Sequence, residues 1–294
     1  MFKMLSKSFF ACLLICSCLV DALGQSRIRV FREVDRNNVN DFIIYADNPT
    51  GTPHHVVVIF DDLVGYTPSI RKPPSMNVDI GRSKMFRLKR DELTSERSIR
   101  YHYFVYPGEA NPKIKKVEYA IPLKASKEVL VRRLNANGPL GQESTVDEFF
   151  GLSFKGVPGD TIYAARAGRV TKKSDSGTTF IEVRHSDGTI GRYRNFLDNS
   201  TMVNVGDEIL AGSELAVFSN SGVQFSVRYL FYEYQQGVKN NKWYAFKYLI
   251  PKFKTENGSQ ELQSEFTYTA VLTDELITQE MSRKEKKNYL KSKK

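Results

Sequence analysis

Residues 158–170 read PGDTIYAARAGRV, and this stretch decides the fold of the second half of the chain. Two further pieces follow it: IEVRHSDGT at 181–189, running on to YRNFL at 193–197, and VNVGDEILAGSELA at 203–216. Each piece combines short β-rich runs with Gly-Asp or Asp-Gly pairs, which is typical of short strands joined by tight turns. The region 149–272 is therefore predicted to be an all-β domain.

In order and spacing, these three pieces resemble the lysostaphin/LytM family of zinc endopeptidases, which cut peptidoglycan cross-bridges. The resemblance covers roughly residues 144–228, and it implies a compact all-β fold with a zinc groove. It also implies a zinc ion held by His, Asp and His, with two further His beside the groove that handle protons. A hydrolytic zinc needs three protein ligands and one open position for the attacking water.

The positions that match this site hold other residues. Ser153 stands where the family has its Asp, and the first His falls at Ser144. Asn195 replaces a groove His, while Gly222 and Gln224 replace the two His of the last motif. Neutral Ser, Asn and Gln side chains are poor zinc donors compared with imidazole or carboxylate. We interpret Ser144, Ser153 and Gln224 as degenerate metal positions, and Asn195 and Gly222 as degenerate catalytic positions.

The histidine count points the same way, because the chain has only 4 of them. His185 alone falls in the second domain, at a family position that is not a ligand. His54 and His55 are neighbours on a predicted strand, where successive side chains point to opposite faces and cannot chelate together. We therefore predict no bound cofactor, and zinc only if the alternative of an active enzyme holds.

The former groove is predicted to bind a ligand. Ser153, Asn195 and Gln224 would line its floor, with Arg192 or Arg194 at its side. Hydroxyl and amide groups can hydrogen-bond a peptide in either direction, and Arg can pair with the carboxylates of wall stem peptides. The alternative is a groove that has filled in and become core. Asp at 153 and His at 144, 195, 222 and 224 are expected to be tolerated, because these positions would lie at the groove surface.

The flanking regions complete the predicted domain organisation. Short strands with turn signals over residues 25–122 favour a β-sandwich of immunoglobulin-like type. Residues 123–148 contain several chain breakers and are predicted to be a connector. Residues 273–294 are predicted to be a short charged helix followed by a basic tail.

The first 24 residues have the three parts of a signal peptide. Lys3 and Lys7 precede an apolar run of 12 residues at 9–20. A cleavage site of the small-x-small type follows at residues 22–24. A membrane-spanning helix needs about 20 apolar residues. The predicted location is therefore periplasmic or extracellular. An uncleaved anchor and a lipoprotein modified at Cys18 are the alternatives.

The net charge is +10, and basic residues are concentrated after position 282. Export argues against nucleic acid as the partner, and an anionic envelope fits better, whether lipid headgroups or wall-peptide carboxylates. We predict an exported, non-catalytic LytM-like protein that binds peptidoglycan or regulates a wall hydrolase. The alternatives are an active zinc metalloendopeptidase and a protein–protein scaffold of the envelope.

Overall fold

The computed structural model of the chain describes residues 27–70, 73–134, 149–233 and 244–293. The predicted signal peptide, with Cys18, and the position of Ser144 lie outside the described residues. Within the described part, none of the helices has both the length and the apolar character needed to cross a bilayer. The chain divides into two compact units, with the boundary between Val105 and Tyr106.

The first unit is built from seven strands. They are β1 Arg29–Asp35, β2 Asn38–Asn48, β3 His54–Val64, β4 Tyr66–Pro68, β5 Ser75–Val78, β6 Gly81–Arg90 and β7 Ser98–Pro107. One sheet has the order β1-β2-β6-β4, and the other has the order β5-β3-β7. Ile44 and Leu88 from the first sheet share a buried cluster with Val56 and Val58 from the second, so the two sheets enclose one core. The immunoglobulin-like type of this sandwich stays a prediction.

The second unit contains the remaining strands and two short helices. The strands are β8 Glu118–Tyr119, β9 Glu128–Arg133, β10 Leu152–Lys155, β11 Thr161–Tyr163, β12 Gly168–Ser174, β13 Phe180–Arg184, β14 Ile190–Arg194, β15 Glu208–Ile209, β16 Glu214–Val217, β17 Val223–Tyr232, β18 Tyr244–Leu249, β19 Lys252–Thr255, β20 Gly258–Gln260 and β21 Phe266–Thr269. The helices are α1 Asp274–Thr278 and α2 Arg283–Ser292. The predicted all-β class with a short charged C-terminal helix is confirmed.

One large sheet organises this unit, with the order β15-β12-β13-β14-β17-β10-β9-β21 and with β18 also paired to β17. Strand β17 lies at its centre, between β14 on one side and β10 and β18 on the other. One face of the sheet is apolar, and its Phe154, Tyr193 and Phe225 pack into the core, where Phe154 and Phe225 meet Phe253 of β19. The opposite face of β10, β13, β14 and β17 is called the outer face below.

The division of the chain falls earlier than the predicted boundary at residue 122. Tyr119 and Ile121, which we had assigned to the sandwich, are part of the core of the second unit. Strand β9 lies inside the predicted connector and pairs with β10. The breakers that suggested a connector begin only at residue 135, whereas Val129 and Val131 alternate with exposed or half-buried residues as in a half-buried strand.

Candidate functional site

The outer face follows from the period of two along each strand. In β14, Tyr193 points into the core, so Arg192 and Arg194 on either side of it point to the outer face. In β17, Phe225 and Val227 are core residues, which places Gln224, Ser226 and Arg228 outside. The same alternation places Ser153 of β10 on this face, between two core residues.

Strand register brings three of the predicted site residues into one row. Ser153 lies directly opposite Gln224, and Gln224 lies directly opposite Arg194. Ser153 and Gln224 are half-buried, whereas Arg194 is 8% exposed. Directly opposite residues of antiparallel strands have Cβ atoms about 5 Å apart, so these side chains are neighbours.

The outer face also holds an ion-pair cluster, spread over neighbouring rows of the sheet, that sequence reasoning had not identified. The Oε1 atom of Glu182 lies 2.7 Å from Nη2 of Arg228 and 3.4 Å from Nε of Arg192. All three side chains are at least nine-tenths buried. Arg192, Arg194 and Arg228, together with Glu182, are called the arginine cluster below. The signal that we missed was the repeat of polar residues at 224, 226 and 228 in an otherwise apolar strand.

Burial and mutual repulsion determine the electrostatics of this cluster. Burial, followed by the charges of Arg228 and Arg194, lowers the pKa of Arg192 to about 10. Burial and Arg228 also lower the pKa of Arg194. Arg192 remains protonated at neutral pH, because its pKa lies well above 7. The outer face therefore carries three positive charges and the one negative charge of Glu182, with Arg194 directly opposite Gln224.

Aromatic rings surround the cluster. The guanidinium of Arg228 lies 4.0 Å from the ring centroid of Phe246, and that of Arg192 lies 5.1 Å from the ring of Phe180. Phe149 and Tyr248 form an edge-to-face pair with centroids 4.8 Å apart. Arg192 and Arg194 are thus part of a buried floor, whereas we had placed them at the side of an open groove.

Asn195 and Gly222 have a different role from the floor residues. Nδ2 of Asn195 donates a hydrogen bond of 3.1 Å to the carbonyl oxygen of Gly222. Gly222 has a φ of +80°, and a Cβ atom added there would lie 2.6 Å from the backbone oxygen of Phe154. The expectation that His is tolerated at 222 is therefore wrong, because both the left-handed backbone and the backbone contact oppose any side chain.

The histidines of the described residues are each held in a local contact. Nδ1 of His185 donates to the backbone oxygen of Ala167 over 2.8 Å, and burial together with Arg166 lowers its pKa to about 4. His54 contacts the backbone oxygen of Thr52, while His55 contacts the side chain of Asn77. Among the residues that the structure describes, no group of three or more His, Cys, Asp or Glu is arranged to hold a metal ion.

A second buried network joins the C-terminal segment to the domain. Arg166 is 1% exposed, and its Nε and Nη2 atoms donate to the two carboxylate oxygens of Glu280 at 2.7 and 2.8 Å. It also contacts Asp187 at 3.0 Å and the hydroxyl of Tyr119 at 3.0 Å. The sequence signal for this anchor was an arginine within the small and apolar run at 162–167, where a buried charge requires partners.

Comparison with known families identifies the second domain. Residues 148–243 match the model of peptidase family M23. The chain therefore carries a domain of the M23, or LytM, type, as the sequence resemblance implied. A comparison with curated proteins gives no match.

Several solved structures are similar to this chain. The SpoIIQ–SpoIIIAH pore-forming complex is 16% identical, with a TM-score of 0.27, and the match covers 39% of this chain and 85% of that one. A putative peptidase M23 from Pseudomonas aeruginosa is 13% identical, with a TM-score of 0.25 and coverages of 59% and 82%. Csd3 from Helicobacter pylori is 11% identical, with a TM-score of 0.30 and coverages of 90% and 84%.

Proposed function

We propose that the M23-type domain is non-catalytic and that it binds a wall component through its outer face. The observation that carries this proposal is the arginine cluster next to Ser153 and Gln224. The resemblance implies zinc ligands at these two positions. The guanidinium of Arg194 and the net positive charge of the cluster repel a divalent cation there, and a hydroxyl and an amide supply little ligand strength in return.

The chemistry of the cluster favours an anionic ligand. The planar guanidinium of Arg presents paired donors that match a carboxylate. The rings of Phe180 and Phe246 lie against the guanidinium groups of Arg192 and Arg228 and fix their orientation. The carboxylates of peptidoglycan stem peptides are ligands of this kind. An exported chain would meet them directly, so export and wall binding belong to the same proposal.

Metal content tests the non-catalytic part of the proposal. The purified full chain is dialysed, and its zinc is measured by plasma mass spectrometry alongside a wall-cutting assay on purified peptidoglycan. We expect far less than one zinc per chain and no cutting, with or without added zinc. About one tightly held zinc per chain, removed by a chelator together with the cutting activity, would establish the active endopeptidase instead.

Wall retention tests the binding part. The chain is incubated with purified peptidoglycan and sedimented, and the variant Arg192→Lys/Arg194→Lys is compared with it. This variant keeps the charge but loses the fork geometry, so we expect weaker retention. The matched control is Arg29→Lys/Arg82→Lys, which changes two exposed arginines of the first unit that pair with Asp47 and Glu33. Equal retention of the wild type and both variants would contradict the outer face as the binding site.

A further inference from the structure

Helix α2 presents a basic face to solvent. None of its ten residues is buried. Arg283, Lys286, Lys287, Leu290 and Lys291 line one side of it, at the i, i+3, i+4, i+7 and i+8 spacing of a single helix face. These five residues are called the basic stripe.

The helix is held in place by its other side. The hydroxyl of Tyr289 lies 3.5 Å from a carboxylate oxygen of Asp274 in α1, and Lys293 forms an ion pair with the same carboxylate. Ser282 and Glu285 form a capping box at the first turn, with bonds of 3.3 and 2.8 Å. Since Glu280, just before α2, is bound to Arg166, the stripe is fixed to the domain and faces outward.

The arrangement of charge within α2 is unfavourable for an isolated helix. Arg283 and Lys287, and likewise Lys287 and Lys291, are like charges four residues apart, which destabilises a helix. The one acidic residue of α2, Glu285, is engaged in the capping box and lies off the stripe. Bringing a negatively charged partner to the stripe removes this repulsion.

We propose that the basic stripe docks on an anionic phospholipid surface. The stripe follows one face of a single helix and spans about 12 Å along its axis, so a flat surface can meet its four cations together. Long Lys and Arg side chains reach headgroups while their stems stay along the surface, and Leu290, which is 37% exposed, lies among them. Each basic residue near an anionic membrane strengthens binding by about fivefold.

Vesicle sedimentation tests this proposal with the full chain. The vesicles contain 30% phosphatidylglycerol and 70% phosphatidylcholine, or phosphatidylcholine alone. We expect binding to the anionic vesicles only, and weaker binding as salt is raised. The variant Lys286→Glu/Lys287→Glu/Lys291→Glu should bind at least about a hundredfold more weakly. The variant with Arg at the same three positions should bind like the wild type.

A matched control separates the stripe from net charge. Lys155→Glu/Lys172→Glu/Lys252→Glu changes three exposed lysines on strands of the same unit by the same total charge. We expect this variant to keep its vesicle binding. The proposal is overturned if both Glu variants lose binding equally, or if the wild type does not bind anionic vesicles. It is also overturned if the stripe binds soluble polyglutamate, as a mimic of acidic protein, but not vesicles.

Discussion

At the scale of single residues, Gly222 shows how a backbone conformation can limit what a site can become. Its φ of +80° is shared by other glycines of the domain, such as Gly159 at +90°. The two differ in their surroundings, because a Cβ atom at Gly159 would meet nothing within 4 Å, whereas one at Gly222 would meet Phe154. Restoring a histidine at 222 therefore requires the turn itself to rearrange.

Gly222→Ala is expected to destabilise the domain by about 3 kcal/mol, because it adds a backbone contact to the cost of a left-handed φ. Gly159→Ala is the matched control, and it should cost about 1 kcal/mol from the φ alone. Urea unfolding of both variants measures the difference. Equal costs would mean that the contact with Phe154 relaxes freely.

His185 predicts a pH dependence of stability. It is packed against Tyr119 and near Arg166, Asp187 and Glu280, and its folded-state pKa of about 4 lies below the usual 6.5. The unfolded chain therefore binds a proton that the folded chain excludes between these two values. The contribution of neutral His185 to stability is fully present above about pH 6.5, and it is lost as the pH is lowered toward 4.

Unfolding free energies at pH 7 and pH 5 measure this effect. We expect the wild type to lose about 2 kcal/mol over this interval, which is the size of a shift of 1.5 pKa units. His185→Gln should be less stable at pH 7 but should lose much less between the two values. Asp187 and Glu280 have lowered pKa values, so their protonation reduces the unfolding free energy mainly at lower pH. Parallel slopes for the two proteins would contradict the assignment to His185.

At the scale of elements, residues 274–280, which include α1, connect two separate parts of the second unit and are called the strap below. The side-chain amide of Gln279 donates to the backbone oxygen of Glu118 at 2.8 Å and accepts from its backbone nitrogen at 3.1 Å. Glu280 then binds Arg166 in the interior. One short segment thus joins β8 to the turn that carries Asp187.

Glu280→Gln should loosen this strap, because it removes a carboxylate from a buried arginine and leaves only Asp187 as its charge partner among the described residues. Breaking a buried ion pair costs about 3 kcal/mol. Hydrogen exchange should show faster exchange at residues 276–281. Glu285→Gln is the control, since it changes an exposed carboxylate of the capping box and should leave exchange over α1 unchanged. Unchanged protection in both variants would show that Glu280 does not hold the strap.

At the scale of the whole molecule, the division at residue 105 makes a prediction about fragments. Residues 106–122 supply core side chains, the hydroxyl that contacts Arg166, and strand β8 of the second unit. A fragment of residues 106–294 should therefore melt cooperatively, as followed by circular dichroism. A fragment starting at the predicted boundary, residues 123–294, should lack a cooperative transition. If the shorter fragment melts like the longer one, the predicted boundary is the better one.

Much of this organisation could be predicted from the sequence, because it depends on local pattern. Alternating apolar residues and Gly-Asp turns predict short strands, and the order and spacing of three such pieces resemble the LytM family. The resemblance to that family, and not the pattern itself, implied that Ser153 and Gln224 share one candidate site. Strand register also depends on which face is apolar, and Phe154, Tyr193 and Phe225 mark that face in the sequence.

Only the tertiary structure could decide what the candidate site contains. Arg228 meets Glu182 across 46 residues of chain, and Arg166 meets Glu280 across 114. Nothing local in the sequence specifies such partners, since ion pairs form wherever the fold brings opposite charges together away from water. The same holds for Gly222, whose tolerance of a side chain depends on a backbone oxygen of a neighbouring strand. Local periodicity determines strands and their faces, whereas burial and long-range contacts determine which of their polar residues become a site.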